Sequence, residues 1–533
     1  MPRKLGFILI GLATVAGAAL LAAVIRERAP DRRAPAAAAE RAARLGGLTI
    51  DYPFDGTIFP PELPPPTFRW SDQAAAPVAR LVFEFDDGGP PMTFRTYARS
   101  WTPSVTAWER IKRRSRERTA HATLFGVGRA RDAAPRSGAA IAFRTSADPV
   151  GAPIFYREVR PPFAEAVRDP SHIAWRFGPI SSTRRPRAVL RGLPMCANCH
   201  SFSADGKTLG MDVDYGNDKG SYALAAVAKE MVLDRDAIIS WTDFRRADGE
   251  RTYGLLSSVS PCGRYVVSTV KDRSVSTPRP DPTFSLSFFP IKGILAVYDR
   301  RTGRFAALPG ADDERFVQSN PTWSPDGRTI VFARAPVHPL AAESGEDIVL
   351  PPEKARRFLA GEPVRYDLYR VDFNDGRGGT PTPVGGAAGN GKSNYFGKFS
   401  PDGKWIVFCQ SNGYMLLAPD SELHIVPAAG GTARRMRCNT PRMNSWHSFS
   451  PNGRWLVFSS KAFSAWTQLF LTHLDAGGRS SPPVVLDRFT AGDRAANIPE
   501  FVNAAPDAIV RIREQFIDYL LDTAPEPSRR PPP

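Results

Sequence analysis

A short unit recurs along the C-terminal two thirds of the chain: an aromatic or apolar residue, then Ser-Pro-Asp-Gly-basic, then an apolar run. Such a repeat constrains a fold more tightly than any isolated motif. The copies begin at Phe202-Ser203-Ala204-Asp205-Gly206-Lys207, Val259-Ser260-Pro261-Cys262-Gly263-Arg264, Trp323-Ser324-Pro325-Asp326-Gly327-Arg328, Phe399-Ser400-Pro401-Asp402-Gly403-Lys404 and Phe449-Ser450-Pro451-Asn452-Gly453-Arg454. Each reads as a hairpin turn. Proline presets φ, Asp or Asn bonds its own backbone, and Gly takes the positive-φ position. Strong strand formers follow, such as Ile330-Val331-Phe332 and Leu456-Val457-Phe458. A second hairpin closes most units, as where Ile294 to Asp299 meets Thr302-Gly303. Two hairpins make a four-stranded blade, and blades that cannot bury their own faces stack radially into a β-propeller. Five copies are explicit. A sixth blade is expected from the chain ends, with Ile173 to Ile180 and Arg187 to Leu193 as outer strands and Asn497 to Asn503 as an inner one.

The 533 residues allow two to four domains at roughly 100–200 residues each. The chain is 42% hydrophobic, too apolar for disorder, and its 51 prolines and 43 glycines sit at turn positions and argue against helical bundles. Residues 48–150 alternate short strands with proline clusters, which predicts an all-β N-terminal β-sandwich of the immunoglobulin or fibronectin kind, with Trp70 and Trp101 in its core. Residues 151–505 are assigned to the propeller, of about six blades. In residues 506–533, Ile509, Ile512, Phe516 and Leu520 fall at helical spacing, which predicts a C-terminal helix ahead of a Pro-rich tail.

Leu5 to Ile25 carry no charge and, at ~1.5 Å per residue, match a bilayer core of ~30 Å. Residues 1–25 therefore predict a single transmembrane helix, an uncleaved anchor in the inner membrane, with a cleaved signal and secretion as the alternative. Residues 26–47 read as an Ala/Pro/Arg linker, a solvated tether with some helix around Ala36 to Leu45. Arg26, Arg28, Arg32 and Arg33 would place that flank in the cytoplasm. The cysteine motif described next opposes this and places the body in the periplasm.

Cys196-Ala197-Asn198-Cys199-His200 is C-x-x-C-H, the attachment signature of haem c. Two thiols form thioethers with the two haem vinyl groups, and the adjacent histidine is held against the iron. The expectation is one covalently bound haem c on Cys196 and Cys199, with His200 as the proximal iron ligand. A zinc site would want further paired ligands, and Cys262, Cys409 and Cys438 are isolated. A thioredoxin-like pair would want a strand-to-helix setting. A structural disulfide is the remaining alternative, and Cys409–Cys438 is a second candidate bridge. His200-Ser201-Phe202-Ser203 aligns with His447-Ser448-Phe449-Ser450, so equivalent inner strands would bring both histidines to one end of the channel. His447 is the expected distal iron ligand, with Met211, Met195, Met443 or an open site as alternatives. Asp212, Asp214, Asn217 and Asp218 crowd one loop without EF-hand spacing and read as an Asx-rich turn rather than a calcium site.

No G-x-S-x-G, H-E-x-x-H or phosphate loop is present, so no catalytic set is assigned. The net charge of +16 lacks the aromatic-basic pattern of a nucleic-acid module, and no nucleic-acid partner is expected.

The turn repeat resembles the TolB-like, WD-related propeller repeats of bacterial periplasmic proteins over about residues 196–487. With C-x-x-C-H and segments such as Asp148-Pro149-Val150-Gly151-Ala152-Pro153-Ile154-Phe155, the whole resembles bacterial propeller proteins with an embedded haem site. The resemblance implies a fold and a cofactor but no reaction. The leading expectation is a membrane-anchored electron carrier with a periplasmic redox partner. A TolB-like binding module for an envelope protein, with a structural or sensing haem, is one alternative. A haem enzyme with substrate at the channel is the other.

Overall fold

A computed structural model describes residues 37–160, 169–193, 198–216, 218–244, 252–279, 281–284, 286–343 and 352–516. Two compact units are present. The smaller comprises residues 37–55, 68–101 and 109–144, and the larger comprises residues 56–67, 102–108 and 145–516.

The smaller unit has two antiparallel sheets. One joins Leu48–Tyr52, Phe68–Asp72 and Ser100–Trp101; the other orders Pro135–Thr145, Ala120–Val127, Val78–Phe85 and Met92–Thr96. Alternation along Val78–Phe85 buries Leu81, Phe83 and Phe85 on one face. Phe83 meets Phe68 edge-on at 5.5 Å and contacts Trp101 and Phe143, so one aromatic cluster joins the two sheets. Trp70 is buried in the same unit. The second half of the expected tether is structured. Ala37–Leu45 is a helix whose Ala42 is buried with Val78, Phe125 and Val127.

The larger unit contains four four-stranded sheets, a two-stranded pair and one eight-stranded sheet that a single Gly293–Val317 bridge joins from two four-stranded halves, which makes six four-stranded blades. Their innermost strands are Ala495–Phe501, His200–Phe202, Leu255–Val259, Phe316–Trp323, Ser393–Phe399 and Asn444–Phe449. Each touches the next, and the last touches the first, so the sheets close a ring around a channel as a six-bladed propeller. The first blade closes the ring with both ends of the unit: Ala495–Phe501 pairs antiparallel with Ile154–Val159, followed by Ala174–Gly178 and Arg187–Arg191. The repeat turn is the same device in each of the next five blades. In the fourth blade Ser324 Oγ donates to Asp326 at 2.5 Å and accepts from Thr329 N at 2.9 Å, while Asp326 accepts from Arg328 N. In the third, Cys262 replaces the aspartate, and Ser260 Oγ still accepts from Tyr265 N.

Two expectations are corrected. The C-terminal helix is not formed by the described residues there: Arg511–Glu514 is a strand, parallel to Glu230–Leu233. Its helical spacing lost to tertiary pairing, because the open edge at Glu230–Leu233 takes up its backbone groups while Ile512 and Phe516 join Met231 and Leu233 in the core. Leu520 lies outside the described residues. The fold is all-β without the membrane-spanning helix expected of it: among the described residues no helix is long and apolar enough to cross a membrane. Leu5 to Ile25, on which that expectation rested, lie outside the described residues.

The turn glycines give a test. Gly327 has φ +70°, and a methyl there would meet only the Pro261 ring at 3.9 Å, an ordinary contact. Gly327→Ala therefore costs left-handed strain alone, about 1 kcal/mol. Gly206 also has φ +70°, but a Cβ there would lie 2.5 Å from the Asn503 carbonyl oxygen. Denaturant titration is expected to show a clearly larger loss for Gly206→Ala than for Gly327→Ala; equal losses would contradict this packing of the closing segment on the second blade.

Candidate functional site at the channel mouth

Five inner strands carry a strained residue at one equivalent place. Leu256, Asn320, Phe396, Trp446 and Ile498 have φ of +57°, +56°, +54°, +47° and +51°. Each sits in a β-bulge where the pairing with the next strand slips. In the repeat copies this is the fourth residue before the turn serine, and in the second blade that place belongs to Cys199. All six residues line one cavity of about 480 Å³ at the channel end where the Ser-Pro turns lie. That volume suits a small-molecule site. Left-handed backbone at non-glycine residues is costly and concentrates where a surface must take a particular shape. The residues differ in every blade, so nothing in the sequence marks the ring.

The sequence-derived residues gather here. Cys199, His200 and His447 all line the cavity. Cys196 lies outside the described residues. Between blades five and one, Lys398 Nζ meets Glu500 at 2.5 Å on the cavity wall.

Both imidazoles are buried and lodge in the seam toward the preceding blade. Trp175 Nε1 donates to His200 Nδ1 at 3.2 Å, and the Phe155 ring stands edge-on to His200 at 4.8 Å. His200 Nε2 makes no hydrogen bond of good geometry, and the Phe155 and Ile498 backbone carbonyls lie near the ring. His447 Nε2 donates to the Val407 carbonyl at 2.9 Å, and its Nδ1 lies 3.9 Å from Cys409 Sγ. Burial pushes both rings down to about 3, with the nearby Lys398 ammonium adding to the effect, so both are neutral at ordinary pH. As an expected distal ligand, His447 is in the right cavity but has its nitrogens turned into the blade interface.

The other candidates resolve into packing. Met211 pairs with His200 and lies in the hydrophobic core, and Met443 packs against Leu286 and Leu417. Met195 lies outside the described residues. Asp214 pairs with Lys219, and Asp218 accepts from Ser240, Thr242 and Gly220 N, as an Asx-rich turn does. Among the described residues no group of three or more His, Cys, Asp or Glu could hold a metal ion. Cys409 and Cys438 are free, buried thiols.

For a covalently held porphyrin the residues present fit in kind. A thiol and the adjacent imidazole line one cavity, and the imidazole has a nitrogen without a hydrogen bond. The bond from Trp175 is set against iron ligation, because an Nδ1 that accepts it leaves the ring's proton on Nε2.

A long hairpin of the third blade, Tyr265–Pro278 with Leu286–Asp299, reaches residues of the fifth and sixth blades, Trp446 among them. Its apolar residues Phe284, Leu286 and Phe288 pack with Leu416, Leu417, Met443 and Trp446. Buried Lys461 pins the tip, its Nζ donating to the Pro282 and Thr283 carbonyls at 3.0 and 2.7 Å.

No family model matches the chain, and no curated protein matches it in sequence. Among solved structures it is similar to TolB from Acinetobacter baumannii, at 14% identity over 72% of this chain and 79% of that one, with TM-score 0.40. It is similar to a putative TolB from Agrobacterium tumefaciens, at 15% identity over 66% and 98%, with TM-score 0.35. Hydrazine synthase of Kuenenia stuttgartiensis follows at 13% identity over 57% and 71%, with TM-score 0.32. The likeness is to TolB-like propellers, and values this low carry no argument about function.

Lys461 supplies a pH test. Burial lowers its pKa from 10.5 to about 8, so between those values the folded chain binds fewer protons than the unfolded one and gains stability as pH rises. In denaturant titrations the wild-type stability relative to Lys461→Met is expected to be flat below pH 8 and to rise from pH 8 to 10.5. A difference that stays flat across that window would show Lys461 to be solvated and the hairpin tip unpinned.

Proposed function

We propose that this chain is a propeller-based binding module of the bacterial cell envelope, working in the periplasm on a protein partner. In this reading it carries one haem c at the channel mouth as a structural or sensing group. The observation that carries the reading is the place of Cys199: in a ring of six equivalent positions that shape one cavity, the second blade supplies the second cysteine of C-x-x-C-H. Cys196 and Cys199 would hold the group and His200 would face its iron. The group when bound would supply a redox-active, ligand-binding iron. Phe396, Trp446 and Ile498 would offer it an apolar wall, and the cation–carboxylate pair Lys398–Glu500 lines the same cavity.

The binding-module reading is preferred to the electron carrier on one geometric ground. A low-spin carrier wants a second axial ligand, and His447 gives its Nε2 hydrogen to Val407 inside the blade interface.

The test is expression of the full chain with the haem-attachment machinery, then denaturing electrophoresis with a haem peroxidase stain. The wild-type band is expected to stain. Cys196→Ser with Cys199→Ser should abolish the stain, while His447→Ala should leave both the stain and the ferric spectrum unchanged. An unstained wild-type band contradicts the proposal, and loss of low-spin character in His447→Ala would restore the electron-carrier reading.

A further inference from the structure

His200 is held by an unusual neighbour for a metal-ligating imidazole. Trp175 is fully buried on the strand Ala174–Gly178, and its indole N–H is a donor with no acceptor capacity. It donates to His200 Nδ1 at 3.2 Å, so Nδ1 must offer its lone pair. An imidazolium has no lone pair on either nitrogen, so a ring that accepts at Nδ1 is the neutral form with its one proton on Nε2. The surroundings agree: the carbonyls of Phe155 and Ile498, both acceptors, lie toward the ring. His447, at the equivalent place in the sixth blade, also presents an Nε2 hydrogen to a carbonyl, that of Val407. A ring in this state has no lone pair on Nε2.

We infer that Trp175 is a positioning residue that holds His200 as the Nε2–H tautomer in the haem-free chain, so that His200 offers its Nε2 lone pair to a metal only after the Trp175 bond opens. The ring stays neutral throughout: one proton leaves Nε2 and one is taken up at Nδ1, whose lone pair is then no longer available to the indole. This inference rests on the haem reading for its purpose, but its geometry concerns the haem-free protein alone.

The experiment uses the full chain expressed without haem-attachment machinery and labelled with [15N]histidine. A long-range 15N–1H spectrum reads the tautomer of each ring, and His200 is assigned by the signal lost in His200→Gln. The expected wild-type result is an Nε2-protonated, Nδ1-unprotonated His200. In Trp175→Phe, which keeps the aromatic packing and removes the donor, the tautomer ratio should move toward Nδ1–H by about fivefold, the scale of one net hydrogen bond. Should Trp175→Phe fail to fold, a second sample labelled with [indole-15N]tryptophan decides: the downfield position of the Trp175 indole 15N–1H resonance in the wild type should be lost in His200→Gln. An Nδ1-protonated His200 in the wild type, or a ratio unmoved in folded Trp175→Phe, overturns the inference. The outcome is independent of the gel stain, since an unstained band would sink the haem reading and leave the tautomer result standing.

Discussion

The antiparallel pairing of Ala495–Phe501 with Ile154–Val159 is the contact on which the rest of the propeller depends. Blades cannot bury their faces singly, and a ring left open would expose two of them. The candidate site depends on the same contact. The closing blade supplies Trp175, which bonds His200, and Phe155, which packs on its ring. It also supplies Ile498 of the strained ring and Glu500, the partner of Lys398. Cys199 and His200 belong to the second blade, but their environment comes from strands more than 250 residues apart in sequence. Closure and site are one structural event.

Strain and burial divide the labour around the cavity. Five left-handed residues set its outline, and a Cβ-bearing residue at such a position persists only where neighbours over-determine it. Behind them the repeat turns are fully bonded, each serine hydroxyl both donating and accepting in the four copies that retain Asp or Asn. The rigid turns hold the costly bulges in place. The hairpin pinned by Lys461 packs against Trp446, which also lines the cavity.

Much of this is legible in the sequence because turn chemistry is local. Ser-Pro-Asp-Gly names its own conformation, and five copies imply a ring. Register reasoning also brings Cys199, His200 and His447 to one cavity. It fails on where the imidazoles point, because strict alternation does not hold across a position that is bulged. Trp446 takes φ +47° immediately before His447, and a bulge there re-aims the side chains that follow. The ring itself leaves no mark, since Leu, Asn, Phe, Trp and Ile share no chemistry. The stretch after Ala508 misleads because its apolar spacing satisfies a helix as well as the strand that a distant edge, Glu230–Leu233, selects.

The central claim is that a porphyrin is joined through both thiols at this mouth, and the most direct measurement is the mass of the tryptic peptide Gly192 to Lys207 from chain matured by the attachment machinery. The account predicts that peptide at its sequence mass plus one haem, with both cysteines refractory to alkylation. The same peptide recovered with two alkylated, unmodified cysteines would contradict it.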